Sequence, residues 1–182
     1  MALKIDPQES LFLVVDIQQK LAPAMWNGEA AIEVNYKLLQ AAQHLGVPHM
    51  VSEQYPAGIG QTVDVLAPLI NSAYLFEKMT FSCLGDDVIA AELKEKGRNQ
   101  IVVSGMETHV CVCQTVLDML DEGYQVYVVE DAVASRTVEN KMLGLDRMRH
   151  AGAQIVSSEM VMFEWLQQAG TDDFKSILPL IK

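Results

Sequence analysis

A chain of 182 residues, half of them hydrophobic and a fifth charged, is long enough for one domain over 1–182 with a full core and too short to suggest two. Its formal net charge of -11, with no segment gathering lysine and arginine, repels a phosphate backbone and an anionic lipid surface, so neither nucleic acid nor membrane is expected as a partner. The first apolar run is too short for a signal peptide, no stretch approaches the about 20 apolar residues of a membrane span, and an odd count of 3 cysteines points to reduced thiols in the cytoplasm.

Strands and helices alternate along the chain. LFLVVD (11–16) is short, apolar and β-branched, which suits a strand buried on both faces of a sheet. A helix is predicted over 30–45, with apolar residues three and four apart and Gly46 at its end. VPHMVS (47–52) is the second strand; the stretch after it, EQYPAGIGQT (53–62), is the longest irregular one. Loops at the C-terminal ends of parallel strands are where such folds place their sites, and a plain surface connection explains this one equally well. AYLFEK (73–78) is the third strand, and a helix over 86–96 ends at Gly97. QIVVSG (100–105) is the fourth, and a helix over 112–122 ends at Gly123. QVYVVE (125–130) is the fifth, a helix over 139–151 ends at Gly152, and QIVSSE (154–159) is a weaker sixth. The remainder reads as two helices, the second capped by Thr171. Glycine just past a last turn is the usual helix stop. Repeated strand–helix–strand units imply a parallel sheet covered on both sides, a three-layer α/β/α fold.

Chemistry-bearing residues sit where these elements end. Asp16 closes the first strand and either caps the following IQQKLAPAM or points into the crevice above the sheet. Lys78 closes the third, as a solvated charge or as a group turned inward. Cys111 lies six residues beyond Gly105, where the fourth strand hands over to a helix. The free N–H groups and positive dipole end there lower a thiol's pKa and can receive an oxyanion. Cys113, two residues on, points away from Cys111 on a helix, and C-x-C lacks the second ligand pair of a zinc site. The pair is therefore a nucleophile with a bystander, or two core cysteines. His109 has the wrong spacing to face Cys111 as a base, and His44, His49 and His150 show no metal spacing.

LFLVVDIQ, FEKMTFS and GMETHVCVCQTVLDMLDEGYQVYVVEDAVASR, in that order and each at a strand end, resemble the isochorismatase-like cysteine hydrolases over roughly 11–158. EQYPAGIGQT resembles the isochorismatase-domain-containing branch. The resemblance implies a roughly six-stranded parallel sheet in the order 3-2-1-4-5-6 and a catalytic triad of Asp16, Lys78 and Cys111. It also implies a non-proline cis peptide at Met106–Glu107, turning the Glu107 N–H, with that of Cys111, toward one oxyanion. The activity implied is metal-independent hydrolysis of a small amide or related carbonyl substrate through a thioester, with no cofactor. Nicotinamidases in the superfamily carry an Asp-x-His-Pro metal motif where this chain reads SEQYPAG, without histidine, so no metal is expected. Members that cleave the vinyl ether of isochorismate lack the nucleophilic cysteine, so Cys111 argues against that substrate. Glu107 stands where amidases often carry a small residue or threonine; it points away or shapes a pocket for a cationic or polar substrate. Gln18, in the family's Asp-x-Gln pattern, holds the local loop or binds substrate. Asp131 and Arg136 are expected to pair, and Tyr55, Phe81 and Trp26 are candidate pocket walls. A homo-oligomer, dimer or larger, is implied as well. Two other readings stand beside this one: a catalytically idle binding protein on the same fold, and a redox sensor using Cys111 and Cys113.

Overall fold

The apolar runs become strands β1 (Ser10–Val15), β2 (His49–Gln54), β3 (Leu75–Lys78), β4 (Gln100–Met106), β5 (Gln125–Ala134) and β6 (Gln154–Val156) in a computed structural model that describes residues 4–182. All pair in parallel, in the order β3-β2-β1-β4-β5-β6. Between and after them run α1 (Gly28–Leu45), α2 (Pro56–Ile59), α3 (Asp87–Glu95), α4 (Cys113–Asp121), α5 (Val138–Ala151), α6 (Ser158–Leu166) and α7 (Asp172–Ile181).

β1 shows why the layers form. Every residue of SLFLVV is buried, and side chains alternate between the two faces of a strand. Phe12 and Val14 pack with Leu38 and Leu39 of α1, Trp165 of α6 and Ile177 of α7. Leu11, Leu13 and Val15 pack with Ile89 and Leu93 of α3, Val116 and Met119 of α4, and Leu145 and Met148 of α5. One strand thus serves two cores, which only a sheet sandwiched between helix layers permits.

The chain runs outward from β1 to β3 on one side and from β4 to β6 on the other, so β1 and β4 flank the point where strand order reverses. A crevice opens there beyond the strand ends. Gly105 lets the two strands close at that point. Its φ is +117°, and a Cβ there would stand 2.0 Å from the Val15 carbonyl oxygen, so no other residue fits.

Three elements differ from the sequence-based expectation. β5 continues to Ala134, because the register between β4 and β5 shifts between Val103 and Gly105. This irregularity absorbs Glu130 and Asp131 and lets Val133 and Ala134 pair again. β3 begins at Leu75, since Ser72–Tyr74 is a 3-10 turn capped by the Asn71 side chain. The stretch 53–62 contains α2 and folds back on the residues after β1, through an antiparallel bridge between Gln18 and Thr62.

Candidate active site

Asp16 follows β1 directly and takes φ 51°, a left-handed conformation that aspartate tolerates better than most residues. Its carboxylate is fully buried and turned into the crevice, not toward the next helix. Oδ1 accepts the Ser52 hydroxyl at 2.7 Å and Oδ2 accepts Lys78 Nζ at 2.7 Å. Neither side chain of the ion pair reaches solvent. Lys78 Nζ also lies 2.8 Å from Gln54 Oε1 and 3.0 Å from the Phe81 carbonyl oxygen. Burying either charge alone would be prohibitive; together, and ringed by polar acceptors and donors, they form a closed network.

Cys111 completes the cluster from the third direction. It lies in a π-helical turn, Thr108–Val112, between β4 and α4. The fourth strand thus delivers it to the switch point next to Asp16. Its thiol pKa is pushed up to about 12, by burial first and then by the Asp16 charge, with Lys78 opposing and a hydrogen bond to Asp16 adding to the rise. This corrects the expectation of a thiol with a lowered pKa. The helix end contributes only about half a charge, too little against desolvation and a full carboxylate. Burial and the neighbouring carboxylate thus favour the protonated sulfur.

Cys113 packs into the core layer of α3, α4 and α5. The thiol coupled to Cys111 is Cys83, whose ionisation would raise the Cys111 pKa further. Fully buried, it places Sγ 3.5 Å from Ser52 Oγ, and its own pKa is pushed up to about 11, again by burial and then by Asp16.

Beside the cysteine turn, Glu107 is held by charge pairing. The Met106–Glu107 peptide is cis. The Glu107 carboxylate, buried to 6% exposure, is held by Arg136 through Nε–Oε2 and Nη2–Oε1 bonds, each 3.0 Å. The Glu107 charge is thus paired and not free. The expected Asp131–Arg136 pair does not form. Asp131 lies in the irregular part of β5 and accepts the backbone N–H and hydroxyl of Ser158 at 2.8 and 2.5 Å, at the start of α6. Arg136 lies past the end of β5, beside the exit of β4, where Glu107 is. His109 Nδ1 meets Ser135 Oγ at 3.0 Å.

Gln18 is fully buried and spends its amide on the backbone. Oε1 accepts the Gln54 N–H at 2.7 Å, and Nε2 donates to the carbonyls of Gly60 at 2.5 Å and Gln54 at 3.0 Å. It ties the 53–62 loop to the end of β1. Tyr55, half exposed, lines a cleft of about 460 Å³ with Pro56, Glu77, Met79 and Asp86, beside Lys78. The Phe81 side chain is half exposed while its carbonyl holds Lys78. Trp26 borders a different cavity, with Val34, Val138 and Met142, and is not brought to the cluster. Among the described residues no group of three or more His, Cys, Asp or Glu side chains is placed to hold a metal ion.

A family model for the isochorismatase domain matches residues 10–160. The chain belongs to the isochorismatase domain family. Isochorismatase domain-containing protein 1 of Danio rerio is 36% identical over 178 residues, which is 98% of this chain; the chain spans 62% of that relative's length. The secreted isochorismatase effector Isc1 of Phytophthora sojae is 37% identical over 185 residues, covering 98% of this chain and 87% of the relative. The solved structure of MAR1 ribonuclease from Caenorhabditis elegans superposes with a TM-score of 0.91 at 33% identity, covering 98% of this chain and 92% of the other.

In this isochorismatase domain, Ser52, Gln54 and Cys83 stand at the cluster without having been selected from sequence. Ser52 and Gln54 are two apart at the end of β2 and so share a face, which is the signal that finds them; Cys83 has none. The buried thiols also set a pH limit. Their pKa values rise on folding from 9.0 to about 11 and about 12. The stability this lends is complete below pH 9.0 and is lost as pH rises through the folded values. The unfolding temperature should therefore fall more steeply above that pH in the wild type than in a Cys83→Ala/Cys111→Ala variant. Parallel curves would refute the assignment.

Proposed function

We propose that this chain is a metal-independent cysteine hydrolase that cleaves a small amide or related carbonyl compound through a thioester on Cys111. The observation that carries the reading is the meeting of one carboxylate, one ammonium and one thiol, Asp16, Lys78 and Cys111, in a buried crevice at the ends of β1, β3 and β4. A buried ion pair contributes little to stability over an apolar replacement, so an idle protein has no use for it.

The thiol proton passes to Asp16 as the sulfur attacks the carbonyl carbon. Lys78, bonded to the other carboxylate oxygen, orients Asp16 and offsets its charge. The oxyanion is received by the N–H groups of Glu107 and Cys111, each such donor being worth about 3 kcal/mol. The C–N bond breaks as Asp16 gives its proton to the leaving amine. A water then adds its oxygen to the thioester carbon and its proton to Asp16. The C–S bond breaks, and the proton returns from Asp16 to the sulfur as the acid departs.

The test is a panel of small primary amides, N-substituted amides and esters, incubated with the wild type and Cys111→Ala. Release of amine by the wild type alone, with an acyl mass on the Cys111 peptide, supports the reading. No turnover of any member, and no adduct, favours the idle binding protein. A single-stranded RNA belongs in the panel because the Caenorhabditis elegans relative is called a ribonuclease. The charge of -11 and the commitment of Lys78 to Asp16 argue against RNA as the substrate. We further propose a homo-oligomer, dimer or larger, and a cytoplasmic location consistent with three free cysteines. No described helix is long and apolar enough to cross a membrane.

A further inference from the structure

We infer that Ser52 is a positioning residue for Asp16, holding the carboxylate so that one oxygen lane stays open to the Cys111 thiol; the inference rests on the hydrolase reading above. Ser52 pairs with Val15 in the β1–β2 register, which sets its side chain beside the residue that follows β1. It is buried to 1% exposure, and its hydroxyl donates to Asp16 Oδ1 at 2.7 Å. Lys78 binds the other oxygen. An ammonium on one oxygen alone leaves a carboxylate free to swing about its Cβ–Cγ bond, a soft torsion. A second donor on the second oxygen removes that freedom.

Ser52 is itself held from behind. Cys83 Sγ reaches Ser52 Oγ at 3.5 Å, and the Cys83 backbone N–H donates to Thr115 Oγ1 at 2.9 Å. Thr115 belongs to α4, the helix that the cysteine turn leads into. The chain Thr115–Cys83–Ser52–Asp16 therefore connects the element carrying the sulfur to the group that takes its proton. The charged and titratable groups facing Asp16 are Lys78 from β3, Cys111 from the turn before α4 and Cys83 from the turn before α3. Glu53, next to Ser52 on β2, is turned to the other face, where it accepts from Thr62. Losing the Ser52 hydroxyl should loosen the carboxylate and slow its uptake of the sulfur's proton.

Two measurements on the full chain test this. The first is the split of kcat against KM for a member of the amide and ester panel that the wild type turns over. The second is the acid limb of kcat/KM for the same substrate. In Ser52→Ala kcat should fall about tenfold, the loss of one hydrogen bond to a charged group, with KM little changed and the acid limb displaced. Ser52→Thr, which keeps the hydroxyl, should return both toward the wild type. Cys83→Ala, which removes only the donor behind Ser52, should move them the same way by less, and it serves if Ser52→Ala does not fold. A purely structural serine would lower the unfolding temperature and leave kcat and the acid limb in place, which would overturn the inference. A wild type inert toward every member of the panel would overturn the hydrolase reading and with it the positioning role of Ser52.

Discussion

Replacing Asp16 with asparagine slows turnover by about 10²–10⁴-fold, the range expected for loss of a general base, and in the same protein speeds alkylation of Cys111. The two effects run in opposite directions because Asp16 acts on the thiol in two ways. In the proposed mechanism it is the base that accepts the sulfur's proton during attack. As a resting charge it is, after burial, the largest cause holding the thiol's pKa up at about 12. Asparagine removes the charge and leaves Lys78 beside the sulfur, so the thiol ionises at lower pH. Each unit of that fall multiplies the thiolate fraction at a given alkaline pH about tenfold. Iodoacetamide labelling, mapped to the Cys111 peptide and followed against pH, reads the second effect; turnover of any active panel member reads the first. Labelling and turnover falling together would mean that Asp16 only props the site open. Cys113→Ala, in the core layer, is the control and should change neither by more than about twofold.

Lys78→Met destabilises the fold by about 3–5 kcal/mol, the penalty for leaving one member of a buried ion pair uncompensated. Methionine matches the lysine stem in length and apolar character, so the loss reports the ammonium and not a cavity. The stranded group is the Asp16 carboxylate, which has no solvent exposure and keeps the Ser52 hydroxyl as a donor at 2.7 Å. Asp16→Asn/Lys78→Met should recover more than half of the loss in urea unfolding, because no buried charge remains. Recovery should be incomplete, since Gln54 Oε1 and the carbonyls of Thr80 and Phe81 also lose their donor. A single variant within about 1 kcal/mol of the wild type would show that water reaches the pair and that the cluster is not sealed.

What could be read before folding, and what could not, divides along a physical line. The strand runs, the glycine stops and the doubly covered sheet were legible because they follow from local periodicity and backbone preference. β1 is the plainest case: six apolar-to-small residues in a row, all buried. The three motifs at strand ends were legible for a related reason, since a parallel sheet collects the ends of its strands in one place. The partners of those residues were not. Arg136 looked like the mate of Asp131, five residues away. It binds Glu107, because an irregularity in β5 turns Asp131 toward α6 and carries Arg136 past the strand end. Ser52 and Cys83 carry no motif, and their importance is entirely one of distance to Asp16.

The sequence by itself determined the layered parallel architecture, the placement of Asp16 and Lys78 at strand ends and of Cys111 beyond the fourth strand, and membership of the isochorismatase domain family. Only the tertiary structure decided the direction in which burial and Asp16 push the pKa of the sulfur, the bidentate hold on Glu107 and the hydrogen-bond chain behind Asp16. Hydrophobic pattern and turn chemistry act between near neighbours in the chain and are written there. Desolvation and charge pairing depend on what lies a few ångströms away in space, and that is settled only when distant segments meet.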